Sequence, residues 1–590
     1  MSKKKYSIFE MERRIQFLQK VLIITFCLLL CGLVFFQILK RNEYINLASR
    51  NRLRIFRMPA PRGIITDING APLAVNVRTF NINVYPVDVK DEESKIRISN
   101  ILQRNGIPMT VEKLQELIQK QYSAPYRAIT LIKNLTFSQV AELVTDREFN
   151  EMLFVSPMWR RTYPASEVAA HAVGYVSEIT KEELETRDSS QYRGGDLIGK
   201  TAIEAFYDDD LNGWAGESVI EVDARGRKLR DISSKEPVRG KDIILSVDLE
   251  AHRYAAELMG KYRGAVVAMD VNDGSIKCIY SSPSYDPNSL TWGISSKEWA
   301  ALTDRIERPM MNRAISGSYP PASTFKVVTA SAALEAKTIN TRTNVHCPGY
   351  FTLGTGRFRC WKRTGHGSEN VNNAIRDSCD VFFYQTATWL GIDKLILTAE
   401  KYGVGQKTGI DLISEVDGTI AGPKWKRERI KEAWYGGDTV NYSIGQGYLL
   451  MTPLQLARTY AAIANNGKLV KPRLNIESKV EYKKVNISDT TIKLMQEALL
   501  SVTNRGTGRR ANMFGVKLAG KTGTAQNSHG EDHAWFVGYG PEKNPKYVVV
   551  AIAEAGRAGS EVTAPIVGKM LNYLVNGKKY VEPKKVEEQN

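Results

Sequence analysis

The chain has 590 residues, 43% of them hydrophobic and 25% charged, with a formal net charge of +17. The length exceeds what one hydrophobic core serves, and the composition is ordinary for globular domains. The positive charge admits anionic lipids, anionic polymers or nucleic acid as partners, but no zinc-finger, helix-turn-helix or aromatic-basic ribonucleoprotein pattern accompanies it, so nucleic acid is set aside.

Residues Val21 to Leu39 carry no charge and are long enough to cross a bilayer. Lys3, Lys4, Lys5, Arg13, Arg14 and Lys20 precede them, which places residues 1–20 in the cytoplasm. Lys40 and Arg41 weaken that asymmetry slightly. The apolar run is long for a signal peptide, and no Ala-x-Ala-like cleavage site follows. The reading is therefore an uncleaved anchor over 21–39, with the rest of the chain outside the cytoplasm.

Residues 40–240 predict a mixed α+β pedestal without a catalytic set. Within it, Arg62 to Gly70 ends in the hairpin signal Asn69-Gly70. Val111 to Lys120 and Phe137 to Val144 have helical spacing. A second unit is expected over 241–577. It opens with a strand at Ile243 to Val247, a helix at Leu249 to Tyr262, and strands at Gly264 to Asp270 and Ser275 to Tyr280 around a turn at Asn272-Asp273-Gly274. It closes with strands at Phe514 to Gly520, Ala534 to Tyr539 and Tyr547 to Glu554. Strands at both ends with helices between predict one sheet flanked by helices, an α/β fold. Residues 578–590 form a charged tail.

Ser323-Thr324-Phe325-Lys326 follows Pro320-Pro321. Residues at i and i+3 share a helix face, so Ser323 reads as a nucleophile and Lys326 as its base. Lys326 must be neutral to act, and a nearby cation or burial lowers a lysine pKa; Lys521 is the expected cation. Ser378-Cys379-Asp380 and Lys521-Thr522-Gly523-Thr524 follow in the order of a known three-part serine acyltransferase set. The hydroxyl of Ser378 can both donate and accept a proton. Lys407-Thr408-Gly409 repeats the third motif but lies among loop glycines, whereas Lys521 follows a strand-like run.

Of six cysteines, Cys27 and Cys31 fall in the apolar run and Cys278 in a strand pattern. Cys347, Cys360 and Cys379 remain, with His366 among them. Three thiols cannot all pair within one chain, but three Cys and one His make a closed zinc set. The spacing alone leaves coincidence, or a disulfide plus a free thiol, open as well. His346, beside Cys347, is the alternative imidazole ligand.

These motifs resemble the class B penicillin-binding proteins over nearly the whole chain. Arg62 to Gly70, Arg161 to Pro164, His171 to Val176 and Gly199 to Glu204 resemble pedestal motifs of the family. Asn441 to Gly447, Thr452 to Ala457 and Lys521 to Gln526 resemble its transpeptidase core. Ile68 and Ala202 depart from the family, which usually has Arg and Gly there. Ser378 to Tyr384, with Asp380 as the third motif residue, resembles the elongation branch. The resemblance implies a penicillin-binding protein/β-lactamase-like transpeptidase domain on an elongated pedestal, anchored in the bacterial cytoplasmic membrane. It implies crosslinking of D-Ala-D-Ala stem peptides through an acyl-enzyme on Ser323, and acylation of the same serine by β-lactams. Asp380 is implied to orient groups in the cleft, Lys521 and Thr522 to bind the terminal carboxylate, and Gly523 to allow close backbone approach. Thr524 is implied to lend its N–H, with that of Ser323, to an oxyanion hole. A structural zinc on Cys347, Cys360, His366 and Cys379 is implied too, with no cofactor in the chemical step. The implied partners are a polytopic glycosyltransferase of the rod system and a periplasmic elongation scaffold. Ser-Thr-Phe-Lys also resembles class D β-lactamases, but a long pedestal does not suit a hydrolase.

Overall fold

Strand periodicity sets the centre of the larger unit. In the strand Gly264–Asp270, Ala265, Val267 and Met269 alternate with Val266 and Ala268, and successive side chains must point to opposite faces. The first set enters a core shared with the buried helix Pro453–Ala464. The second enters a core shared with the helices Leu249–Met259 and Thr563–Asn576. The structure, a computed structural model, describes residues 8–44, 53–89, 91–121, 128–222, 228–527 and 530–581; most of the charged tail lies outside the described residues.

The sheet is antiparallel throughout, in the order Ile276–Ser282, Gly264–Asp270, Tyr547–Ala553, His533–Gly540, Ala519–Ala525. This is the helix-flanked sheet that the sequence predicts, with three local corrections. The strand expected over Phe514 to Gly520 begins late. Arg509–Phe514 is a 3-10 turn, Gly515 takes φ 93°, and the strand starts only at Ala519. Lys521 to Thr524 therefore lie within the edge strand. The strand expected at Ile243 to Val247 shortens to Ile243–Ile244, with Leu245 in a single bridge to Asn475. The helix from Leu249 ends at Met259, where Gly260 takes φ 48°.

The chain forms two compact units, one within 1–61, 78–158 and 214–238, the other within 62–77, 159–213 and 239–590. In the smaller unit, Leu53–Met58, Gly216–Val222 and Lys228–Lys235 make an antiparallel sheet. Ile82, Ile98, Leu102, Leu114 and Phe149 make a separate apolar core. The expected helices occur as Val111–Gln121 and Phe137–Val144, the latter started by a Thr136/Gln139 capping box. The N-terminal helix is longer than the anchor expected over 21–39. It runs over Ile8–Val34 and on through Phe35–Leu39, and its most apolar 18 residues have mean hydropathy 2.8, so it is long and apolar enough to cross a membrane.

In the larger unit, three of the family-like stretches meet in one buried charge cluster. Glu204, wholly buried, accepts from Arg62 Nε (3.0 Å), Arg161 Nε (2.6 Å) and the Tyr163 hydroxyl (3.3 Å). Asp208 accepts from Arg62 Nη2 (2.7 Å) and the Tyr192 hydroxyl (2.8 Å). Gly199 is needed for this, because a Cβ there would lie 1.8 Å from the Glu204 carbonyl oxygen. Buried ions are tolerated only when paired, and removing one partner leaves an uncompensated charge. Glu204→Ala is therefore expected to destabilise the larger unit by about 3–5 kcal/mol. An unchanged melting temperature of the purified full chain would contradict this.

Candidate active site

The Ser323 turn is held from both sides. Ala322 takes φ 51°, a costly conformation for a residue with a Cβ. Its N–H donates to the Gly445 carbonyl (2.8 Å), and a Cβ on Gly445 would sit 2.2 Å from the Ala322 carbonyl oxygen. The backbones therefore meet because residue 445 is glycine. Ala322–Phe325 forms a 3-10 turn that runs into the helix Lys326–Glu335. The Tyr460 hydroxyl donates to the Thr324 carbonyl (2.8 Å), and the Trp535 indole donates to the Pro320 carbonyl (3.1 Å).

Lys326 is wholly buried at the start of that helix. Its Nζ donates to the Ser378 carbonyl (2.7 Å), the Ser378 Oγ (3.2 Å) and Asp380 Oδ1 (2.7 Å). Ser378 reaches this point through a left-handed φ of 57°. Asp380 begins the helix Asp380–Leu390, and its other oxygen accepts from the Trp361 N–H (2.8 Å). The first two motifs thus meet at one ammonium.

The third motif lies alongside. Lys521, Thr522, Gly523 and Thr524 run along the edge strand, and a Cβ on Gly523 would sit 3.1 Å from Thr324 Cγ2 and 3.2 Å from the Pro321 carbonyl. The Thr522 and Thr507 hydroxyls are 2.9 Å apart, and the Gln446 side chain donates to the Thr524 carbonyl (3.3 Å). The second Lys-Thr-Gly is closed by its own chain. The N–H groups of Thr408 and Gly409 donate to the Glu415 carboxylate at 2.7 and 3.0 Å.

Beside Asp380 stands a cysteine–histidine cluster. The ligand atoms of Cys347, Cys360, His366 and Cys379 all lie within 4.8 Å of one another. His366 Nδ1 is 3.6 Å from Cys347 Sγ and 3.5 Å from Cys360 Sγ. Tetrahedral zinc with ordinary Zn–S and Zn–N lengths sets a sulfur and a nitrogen about 3.6 Å apart, so the spacing fits that ion. No disulfide joins these cysteines in the structure. His346 is excluded as the ligand, because Val345 and Cys347 point inward and strand alternation turns His346 to the surface. Cys360 and Cys379 share a hydrogen bond that lowers the Cys360 thiol pKa and raises that of Cys379.

A model of the penicillin binding protein transpeptidase domain matches residues 264–572, and one of the penicillin-binding protein dimerisation domain matches residues 57–245. The chain belongs to the penicillin-binding protein transpeptidase family. It is 35% identical to the peptidoglycan D,D-transpeptidase MrdA of Haemophilus influenzae, across 93% of this chain and 90% of that one. It is similar to Helicobacter pylori PBP2 solved in complex with MreC, with a TM-score of 0.81 and 31% identity over 89% of this chain and 99% of that one. It also matches a chain from a peptidoglycan synthase complex described as coordinating polymerization and crosslinking, with a TM-score of 0.73 and 28% identity over 97% and 100%.

Within this family member, the charge arrangement differs from the one the motifs suggest. Lys521 was the expected neutraliser of Lys326, yet the charge that Lys326 Nζ touches is the Asp380 carboxylate. It is Lys521 whose pKa lies well below the usual lysine value, first because of burial and then because of the Lys326 charge. Thr507, Gln446 and Trp361 were not marked as site residues by the sequence. Gln446 lies in the family-like stretch Asn441 to Gly447, and Trp361 beside Cys360, whereas nothing marks Thr507.

The Lys521 shift has a stability consequence. Unfolded, Lys521 keeps its proton to about pH 10.4; folded, it releases it well below that. In that window the unfolded chain binds more protons, so the Lys521 contribution to stability rises with pH. Lys521→Met is expected to raise the melting temperature near neutral pH, with the gain shrinking as pH rises toward about 10.4. A gain that is independent of pH would show that Lys521 is not the titrating group.

Proposed function

We propose that this chain is a peptidoglycan D,D-transpeptidase of cell elongation, anchored by its N-terminal helix with the catalytic unit outside the cytoplasm. The observation that carries the reading is Lys326 Nζ touching both Ser378 and Asp380 beneath the Ser323 turn, with the Lys521 strand alongside. Passage of the Lys326 proton to Asp380 as substrate enters leaves an amine, able to take the Ser323 proton directly or through the Ser378 hydroxyl. Ser323 Oγ then attacks the carbonyl between the two D-alanines of a stem peptide. The backbone N–H groups of Ser323 and Thr524 hold the oxyanion. Lys521 and Thr522 bind the terminal carboxylate, and once that anion enters, a protonated Lys521 is the stable form. Ser378 relays the proton to the departing D-alanine. An amine of a neighbouring stem attacks the acyl-enzyme, forms the crosslink, and the Ser323 oxygen takes back a proton. A β-lactam follows the first half of this course and stays on Ser323.

Cys347, Cys360, His366 and Cys379 would hold a zinc ion. Its soft, closed ligand set suits a structural role, and no chemical step needs it. The relatives solved with MreC and in a synthase complex support a periplasmic scaffold and a polytopic glycosyltransferase as partners.

Fluorescent penicillin is expected to label the wild type on the peptide containing Ser323 and to leave Ser323→Ala unlabelled. Labelling that survives the substitution rules out this nucleophile, and sustained nitrocefin hydrolysis would favour a hydrolase. Metal analysis of the purified chain is expected to find about one equivalent of zinc. Less than roughly 0.2 equivalents would contradict the zinc assignment.

A further inference from the structure

Residues 336–368 hold Lys337, Arg342, Arg357, Arg359, Lys362 and Arg363, and no aspartate or glutamate. Six cations against no anion give this short stretch +6 of the chain's +17. All six are exposed. Among the described residues none of them enters a salt bridge; of the carboxylates nearby, Asp380 and Asp377 pair with Lys326 and Arg376, and Glu369 is buried.

The fold gathers part of this charge on one surface. The hairpin Tyr350–Leu353/Gly356–Arg359 pairs Tyr350 with Arg359 and Thr352 with Arg357. Directly opposed residues share a face, so these four lie together. The alternate residues Phe351 and Phe358 pack inward, with ring centroids 6.1 and 5.9 Å from that of Tyr384 on the helix that starts at Asp380. On the outer face the Arg357 guanidinium stacks 3.8 Å above the Tyr350 ring. Lys362 and Arg363 continue the surface from Trp361, whose N–H holds Asp380. The patch therefore borders the wall of the cleft that carries the Lys326–Asp380 pair.

A hairpin presenting two exposed guanidinium forks, that of Arg357 over an aromatic ring, suits a carboxylate-bearing chain. Such charges next to a reaction cleft raise the local concentration of an anionic substrate. We propose that the outer face of this hairpin, with Lys362 and Arg363, docks the carboxylates of a peptidoglycan stem on the acceptor strand. This rests on the transpeptidase reading above, and it assigns the patch a role in gathering the second substrate that Lys521 does not serve.

The test uses the full chain in nanodiscs of zwitterionic lipid, with Ser323 blocked by penicillin so that only binding is read. The probe is soluble, uncrosslinked peptidoglycan strands, native or with their stem carboxylates amidated. Native strands are expected to bind, more weakly as salt rises, and amidated strands to bind less. Arg357→Glu with Arg359→Glu is expected to weaken native strand binding about tenfold. The Arg357→Gln, Arg359→Gln pair is expected to give a smaller loss and serves if the charge reversal does not fold. Penicillin acylation, measured in the same preparations, is expected to be unchanged in both variants. Equal binding of wild type and Gln pair, equal binding of native and amidated strands, or displacement of strands by phosphatidylglycerol vesicles would overturn the proposal. Absence of penicillin acylation in the wild type would instead sink the transpeptidase reading, leaving the strand measurement to stand by itself.

Discussion

The Lys326 ammonium has no access to water, and its donors end on the Ser378 carbonyl, the Ser378 hydroxyl and Asp380. A buried charge without partners is too costly to keep. The chain must therefore bring the Ser378 turn and the N-terminus of the Asp380 helix against the start of the Ser323 helix. That requirement accounts for features that are separate in sequence. Ser378 adopts a left-handed φ, and Asp380 opens a helix, where a carboxylate is favoured by the positive end of the dipole. Trp361 lends its backbone N–H to the second carboxylate oxygen.

The cysteine cluster belongs to the same constraint. Cys379 stands between Ser378 and Asp380, and Cys360 precedes Trp361. An ion bound by both sulfurs would fix the two backbone segments that hold Asp380, without touching the reacting atoms. Lys521 answers to the constraint from the other side. Lys326 already has its carboxylate, so a second buried ammonium nearby lacks a counter-ion of its own, and its proton is held weakly. In the proposed reaction a substrate carboxylate would supply that counter-ion, coupling recognition of the stem terminus to the charge state of the site.

Much of this was legible in the sequence for identifiable reasons. Short apolar runs bounded by turn residues exposed the central sheet, because strands covered on both faces read as unbroken apolar stretches. The serine, lysine and Lys-Thr-Gly motifs were legible because the chemistry needs those side chains at short, fixed spacings. Strand alternation could also have separated His346 from His366, since Val345 and Cys347 are apolar neighbours. The strand carrying Lys521 was placed too early because the apolar residues near Val516 masked the left-handed Gly515. The Lys326–Asp380 pair was not read because the two residues stand 54 positions apart, and spacing of that kind says nothing about which charge lies nearer. The Arg62, Arg161 and Glu204 stretches were visible as motifs, but their joint burial is a property of packing.

The central claim is that Asp380 is the buried counter-charge that holds Lys326 in place for Ser323. Asp380→Asn keeps the shape and removes the charge, and the second-order rate of penicillin acylation across pH reads the outcome. Losing one partner of a buried ion pair predicts a rate lower by about a hundredfold or more, in a chain that remains folded. A folded Asp380→Asn chain acylated at the wild-type rate across the whole pH range would contradict the account.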